Sequence, residues 1–247
     1  MFVSASTRCY SDVSFWDACR LLVDLEYDKV EIWMDENSDH LKPSEVAANP
    51  DVFLARFREN TRLQPIAFCL ASDVDESTFA VLSKISKQLR VTQITLEASP
   101  LGTPFNAEID RLKGFLKIAN QDGIRVSITT KTGKITEDPR TAVELCQSTP
   151  GLGLTLDPSY YMCGPHRGVS FEPLFAYTYH VHLRDTTPEQ LQVRIGLGEV
   201  DYSRLVSQLE RTAYKRALSV ELLPELQDPA HRQIELRKMR LLLESLL

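Results

Sequence analysis

The chain has 247 residues, of which 43% are hydrophobic and 25% are charged, ordinary values for a globular protein that buries a sizeable core. Its formal net charge of -6, with lysine and arginine scattered along the sequence, excludes the basic surface that binds a nucleic acid backbone. The five cysteines are odd in number and form no Cys-x-x-Cys pair, which excludes a disulfide framework and a cysteine-rich zinc site and favours a reducing cytoplasm.

The first half of the chain alternates short β-rich runs with amphipathic stretches. Its start has no basic segment followed by an apolar core and no run of about 18 apolar residues, so we expect neither secretion nor membrane insertion. A capping box at Ser14 to Asp17 opens the first helix. The predicted strands of this half are 2–6, 29–33, 65–70 and 91–97, and its predicted helices are 14–26, 43–59, 76–89 and 105–121.

The second half repeats the pattern. Its predicted strands are 123–130, 151–157, 177–185 and 217–223, and its helices follow Pro139 and cover 201–212 and 229–247. Eight strand-helix units need about 250 residues, so the sequence predicts one (β/α)8 TIM barrel domain over 1–247. A doubly wound open sheet is the alternative, but no Gly-rich phosphate fingerprint follows any strand.

Side-chain parity separates the two faces of the strands. In a parallel barrel, alternate residues along each strand face the helices, and the residues between them face the interior. Each of these two alternating sets is called a parity. On the last four strands the apolar residues occupy one parity, and the residues of the other parity are Ser127, Thr129, Thr155, Asp157, His180, His182 and Glu221. By the same rule the earlier strands direct inward Glu31, Trp33, Thr95 and Glu97.

Most of these polar side chains lie near the C-terminal ends of their strands, where catalytic groups of a barrel converge on one mouth. Asp157, His182 and Glu221 supply two carboxylates and an imidazole, ligands that suit Mg²⁺, Mn²⁺ or, with the histidine, Zn²⁺. The alternatives are that Asp157 caps the turn before Pro158 and that His182 is a core histidine. We expect a site at this mouth that can hold one divalent cation.

Five segments, taken together, resemble the xylose isomerase-like barrel family of metal-dependent sugar isomerases and epimerases. They are KVEIW at 29–33, LTLDPSYY at 154–161, HVHLRD at 180–185, IGLGEVDYSRL at 195–205 and SVELLPE at 219–225. The likeness spans nearly the whole chain. It implies a role in carbohydrate metabolism, in which a metal assists proton transfer next to the carbonyl of a sugar, polyol or keto-sugar.

The resemblance also implies a ligand set. In the family a Glu, an Asp, a His and a Glu on strands 5 to 8 hold one divalent metal, and Asp157, His182 and Glu221 match the last three. Strand 5 carries Thr129 instead of the Glu, so the cation, whether Mn, Mg or Zn, can be absent. The two family glutamates act as acid and base in the epimerases, which makes Glu221 the catalytic candidate. Tyr160 stands where members often carry His, and close relatives carry His near Lys131.

Further residues are candidates for contact with the substrate. Glu97 could replace the missing carboxylate or form a salt bridge, and Arg184 could bind substrate or pair with Asp185. Lys131 could offset the charge of Asp157 and Glu221 in place of a metal, or be a solvated loop lysine. The residues predicted to bind the substrate are Trp33, Glu97, Thr129, Lys131, Tyr160 and Arg184.

Two functions follow from this pattern. The first is an isomerase or epimerase of a small sugar-like ligand, and the second is a non-catalytic sugar-binding or regulatory barrel, favoured by Thr129, Lys131 and Tyr160. The endonuclease branch of the family needs a histidine-rich cluster of three zinc ions, and the chain has only five histidines. We expect no nucleic acid or membrane partner. Because family members often self-associate, the resemblance also implies a homo-oligomer.

Overall fold

The computed structural model describes residues 1–247, and its central feature is a closed barrel of eight parallel strands that follow one another in chain order. The strands are β1 (Phe2–Ser6), β2 (Lys29–Met34), β3 (Gln64–Leu70), β4 (Gln93–Leu96), β5 (Arg125–Thr129), β6 (Leu152–Leu156), β7 (Thr178–Leu183) and β8 (Ala217–Val220). Pairing of β1 with β8, in which Val3 lies opposite Leu218, closes the barrel. The predicted (β/α)8 fold is confirmed.

Helices connect the strands. They are α1 (Phe15–Asp24), α2 (Pro43–Ala48), α3 (Pro50–Asn60), α4 (Glu76–Gln88), α5 (Phe105–Asp122), α6 (Pro139–Ser148), α7 (Pro158–Cys163), α8 (Tyr202–Arg211) and α9 (Pro229–Glu244). The predicted helix at 43–59 is wrong as a single element, because Pro50 disfavours helical geometry at Asn49 and divides it into α2 and α3. None of the helices is both long enough and apolar enough to cross a membrane.

Local hydrogen bonds set several helix ends. The Ser14 hydroxyl accepts a hydrogen bond from the backbone N–H of Asp17 at 3.2 Å, so α1 begins at the predicted capping box. Helix α5 ends at Gly123, whose φ of 72° is left-handed, a conformation that glycine adopts without a steric penalty. The chain then turns directly into β5.

The two faces of the strands have different surroundings. On β5, Val126 and Ile128 are fully buried within the apolar core. The other parity builds a polar layer in the interior, where the Thr155 hydroxyl lies 2.8 Å from the Thr95 hydroxyl and 2.6 Å from the Ser127 hydroxyl. The same alternation carries charged side chains to the C-terminal ends of the strands.

Candidate functional site

A small cavity lies at the C-terminal mouth of the barrel. Its volume is about 20 Å³, close to the space that one water molecule needs. Its walls include every residue predicted for the site except Arg184, together with Arg8 and Cys69, which were not predicted. The strand ends therefore bring the candidate side chains together around one small cavity.

A larger cleft, of about 430 Å³, lies outside the barrel beside α7 and α8. Phe171 and Phe175 line it together with Glu172 and Arg204, whose side chains form an ion pair at 2.7 Å. None of the charged side chains that point into the barrel lines this cleft. The barrel mouth is therefore the better candidate for chemistry.

Asp157 holds the end of β6 and the start of α7. Its Oδ1 accepts hydrogen bonds from the Ser159 backbone N–H at 3.1 Å and from the Ser159 hydroxyl at 2.5 Å, and Pro158 occupies the first helical position. Its Oδ2 accepts a hydrogen bond from Arg184 Nη1 at 2.5 Å. The capping role and the charged contact coexist, because the two carboxylate oxygens serve different partners.

Arg184 lies just beyond β7 and is 1% exposed. Its Nη2 donates to Glu221 Oε2 at 2.6 Å, its Nε donates to the Glu221 carbonyl oxygen at 3.0 Å, and its Nη1 also donates to the Ser159 hydroxyl at 2.7 Å. Arg184 does not line the cavity, and Asp185 instead accepts hydrogen bonds from the backbone N–H groups of Gly196 and Gly198. The guanidinium therefore neutralises carboxylates inside the protein.

Glu221 extends from the end of β8 and is buried. Burial alone would raise the pKa of its carboxyl, but the charges of His182, Arg8 and Arg184 hold that pKa well below its usual range. Its Oε1 is buried and accepts no hydrogen bond, and Arg8 Nη1 lies 3.7 Å from it. One oxygen of Glu221 is therefore unpartnered at the wall of the cavity.

His182 lies between two carboxylates. Its Nε2 is 2.8 Å from Glu31 Oε2, and its Nδ1 is 3.3 Å from Glu221 Oε2. Burial alone would lower the pKa of the imidazole, but Glu221 and Glu31 raise it to about 10. The Nε2 atom of His180 contacts the same Glu31 oxygen, so Glu31 anchors both histidines of β7 from across the barrel.

Glu97 and Thr129 meet on the opposite wall. The Thr129 hydroxyl donates to Glu97 Oε2 at 3.1 Å, and the ammonium groups of Lys131 and Lys134 lie 2.9 Å and 3.2 Å from Glu97 Oε1. Burial alone would lower the pKa of Lys131, but Glu97 raises it. The ion pair of Lys131 is thus with Glu97, and it is Arg184 that bridges Asp157 and Glu221.

Aromatic rings and one further arginine complete the mouth. The Tyr160 ring lies 5.5 Å from the guanidinium carbon of Arg184, and the Trp33 ring lies 5.7 Å from that of Arg8. Arg8 belongs to a short 3₁₀ segment, Thr7–Tyr10, that follows β1. Strand parity does not apply to such a turn, so the sequence pattern gave no signal for Arg8.

These side chains do not fit a divalent metal as they are arranged. Asp157, His182 and Glu221 each offer a ligand atom, and these atoms lie within 4.8 Å of one another. However, Arg184 binds one oxygen of each carboxylate, and both ring nitrogens of His182 face carboxylate oxygens. A cation in the same place would meet the guanidinium of Arg184 and the N–H groups of His182, and Glu221 Oε1 would be the one carboxylate oxygen of the three residues without a hydrogen-bond partner.

Comparison with known proteins places the fold. Residues 19–240 match a family model described as a xylose isomerase-like TIM barrel. No curated protein sequence gives a significant match to the chain. Among solved structures, a xylose isomerase-like TIM barrel protein from Mycobacterium smegmatis in complex with magnesium is similar, with a TM-score of 0.75 and 16% identity over 99% of this chain and 97% of that chain.

Two enzymes with solved structures are similar to a comparable degree. A D-psicose 3-epimerase, determined in the presence of D-fructose, has a TM-score of 0.75 and 12% identity over 100% of this chain and 99% of that chain. The probable 3-DHS dehydratase involved in petrobactin synthesis in Bacillus anthracis has a TM-score of 0.73 and 14% identity over 99% of both chains. At such low identity these likenesses concern the fold.

Proposed function

The chain belongs to the xylose isomerase-like TIM barrel family, and from this premise we propose that its mouth binds a small sugar, polyol or keto-sugar and moves a proton next to the carbonyl. The reaction is an isomerisation or an epimerisation. The solved D-psicose 3-epimerase and the dehydratase support this class of small-molecule chemistry by analogy. The divalent cation that the resemblance implies has no step in this proposal, because the side chains at the mouth do not fit it.

The observation that carries the proposal is the unpartnered Oε1 of Glu221. A buried carboxylate oxygen without a hydrogen-bond donor is costly, and the cost is offset when a ligand supplies the donor. This oxygen belongs to a residue of the cavity wall, within 3.7 Å of the Arg8 guanidinium. Glu221 is therefore the group that we expect to accept a proton from bound substrate.

Other groups of the mouth have supporting roles in this proposal. Arg8 and Lys131 line the cavity and are partly exposed, so they are positioned to donate hydrogen bonds to a carbonyl or hydroxyl oxygen. Trp33 and Tyr160 supply apolar ring surface for the C–H face of a sugar. Glu97 is held by two lysines and orients Lys131.

The test is deuterium exchange. The protein is incubated with a panel of ketoses and aldoses in D₂O, and incorporation next to the carbonyl is followed by NMR. We expect exchange with one member of the panel and a loss of about 100-fold or more in Glu221→Gln, because general base catalysis contributes that much. The control Glu210→Gln, an exposed residue of α8, should retain the wild-type rate. Equal exchange in wild type and Glu221→Gln would contradict the role of Glu221.

The second candidate is a non-catalytic sugar-binding or regulatory barrel. The observation that favours it is the environment of Glu221, whose pKa lies well below its usual range and makes the carboxylate a weak base. Strand β5 carries Thr129 and has no carboxylate, so it cannot supply a second acid or base beside Glu221. Under this alternative, calorimetry detects binding of one sugar from the panel, and NMR detects no exchange in it.

A further inference from the structure

The guanidinium of Arg184 lies between the two carboxylates that a metal would otherwise bridge. Nη1 is 2.5 Å from Asp157 Oδ2 and Nη2 is 2.6 Å from Glu221 Oε2. We propose that Arg184 is the resident cation of this site, in the place of a divalent metal, and that the chain folds and binds its ligand without one. This inference shares the site of the proposed function but does not depend on its reaction.

The arginine is fixed on all sides. Its Nε donates to the Glu221 carbonyl oxygen at 3.0 Å, and its Nη1 also donates to the Ser159 hydroxyl at 2.7 Å. The ring of Tyr160 lies over the guanidinium at 5.5 Å, and the side chain has no solvent exposure. A group with four hydrogen bonds and an aromatic cover is part of the built structure, in contrast to a surface arginine that has folded inward.

The charges of the pair of carboxylates are already balanced. Asp157 and Glu221 contribute two negative charges, and Arg184 and Arg8 contribute two positive charges that no accessible pH removes. A divalent ion added to this group would leave two excess positive charges in a buried place, which is strongly unfavourable. Metal can therefore bind only if Arg184 withdraws.

The opposite wall offers no substitute ligand. Both oxygens of Glu97 are occupied, Oε1 by Lys131 and Lys134 and Oε2 by the Thr129 hydroxyl. Thr129 itself accepts a hydrogen bond from the backbone N–H of Ala98 at 3.2 Å. Withdrawal of Arg184 would thus free oxygens of Asp157 and Glu221, but Glu97 would stay paired and both ring nitrogens of His182 would still face carboxylate oxygens.

The experiment measures metal binding, which is independent of sugar turnover. Full-length protein, purified without chelators, is dialysed against MnCl₂ and its manganese content is determined by elemental mass spectrometry. We expect no stoichiometric Mn²⁺ in the wild-type chain. The double variant Thr129→Glu with Arg184→Gln removes the guanidinium and adds a carboxylate, and we expect it to bind about one Mn²⁺ per chain, about 100-fold more tightly than wild type.

The controls separate the outcomes. Arg204→Gln, a change of an exposed arginine on α8, should bind no more Mn²⁺ than wild type, and addition of Asp157→Asn to the double variant should abolish its binding. A wild-type chain that holds about one Mn²⁺, lost in Asp157→Asn, would overturn the proposal. A folded double variant that binds none would also overturn it, because the exclusion of metal would not then come from Arg184.

The variant Arg184→Lys keeps a cation at this position and provides a second test in case the double variant misfolds. If the double variant does not fold, wild type and Arg184→Lys decide the question, because both retain a positive charge between Asp157 and Glu221 and are expected to hold no Mn²⁺. Stoichiometric Mn²⁺ in either protein would count against the proposal. Loss of sugar exchange with metal exclusion intact would contradict the proposed function alone.

Discussion

Glu31 organises the deeper half of the site. Its Oε2 contacts the Nε2 atoms of both His180 and His182, the latter at 2.8 Å, and its side chain has no solvent exposure. Burial alone would raise the pKa of Glu31, but the charges and hydrogen bonds of His182 and His180 lower it to about 2. An acidic side chain that is buried and ionised in this way contributes to stability only while it stays ionised.

The first prediction concerns Glu31→Gln. The pKa of Glu31 falls from 4.5 to about 2 on folding, so its contribution is present above pH 4.5 and is lost as the pH falls toward 2. We expect Glu31→Gln to lower the free energy of unfolding by about 3 kcal/mol at pH 7, because two histidines lose their shared acceptor. Urea unfolding at pH 7 and pH 3 should show a smaller difference between the two proteins at pH 3.

The control is Glu45→Gln, which alters an exposed residue of α2 and should leave stability unchanged at both pH values. A Glu31→Gln protein as stable as wild type at pH 7 would show that the two histidines do not depend on this carboxylate.

The direction of side chains was predictable at this scale, but their partners were not. Strand alternation is local, so the sequence alone indicated that Asp157, His182 and Glu221 point into the barrel. Arg184 has the same parity as His182, and this signal could have placed it inside. Its pairing with Asp157 and Glu221 depends on distances between the ends of neighbouring strands, which no local pattern contains.

At the scale of elements, the strands and the longer helices were predictable and the short ones were not. Helix α7 and the 3₁₀ segment Thr7–Tyr10 are too short to show an apolar repeat, yet they carry the cap at Asp157 and place Arg8. Capping residues gave the sharper boundaries. Gly123 ends α5 with a φ of 72°, close to the predicted helix boundary at 121.

The second prediction concerns Gly123→Ala. A Cβ atom at this position would meet no atom within 4 Å, so the cost comes from the left-handed backbone and not from a clash. We expect a loss of about 1 kcal/mol in the free energy of unfolding, measured with urea. Gly123→Asn should lose less, because asparagine tolerates this conformation better than alanine. Equal losses in both variants would point to a cause other than backbone strain.

At the scale of the whole molecule, the two ends of the chain hold each other. Helix α9 returns to the start of the barrel, where Arg232 Nη1 and Nη2 donate to the two oxygens of Asp12 at 2.5 Å and 3.0 Å. The Tyr27 hydroxyl donates to the Leu236 carbonyl oxygen at 2.8 Å. These contacts reinforce the closure that β1 and β8 make in the sheet.

The third prediction concerns Arg232→Met, which keeps an unbranched apolar side chain and removes the guanidinium group. We expect a loss of about 1–2 kcal/mol in the free energy of unfolding, since the pair is bidentate but Asp12 remains partly solvated. Arg211→Met, an exposed arginine at the end of α8, is the matched control and should not change the urea midpoint. A midpoint unchanged in both variants would mean that the pair of Arg232 and Asp12 does not stabilise the contact between the two ends.

The size of the cavity has a consequence for kinetics. The proposed sugar ligand is much larger than a space of about 20 Å³, so the side chains of the mouth would have to move apart before it could enter. The frequency of opening then limits the rate of association, whatever the strength of the final contacts. Once the mouth has closed, the same barrier delays release. A ligand of modest affinity would therefore arrive slowly and have a long residence time.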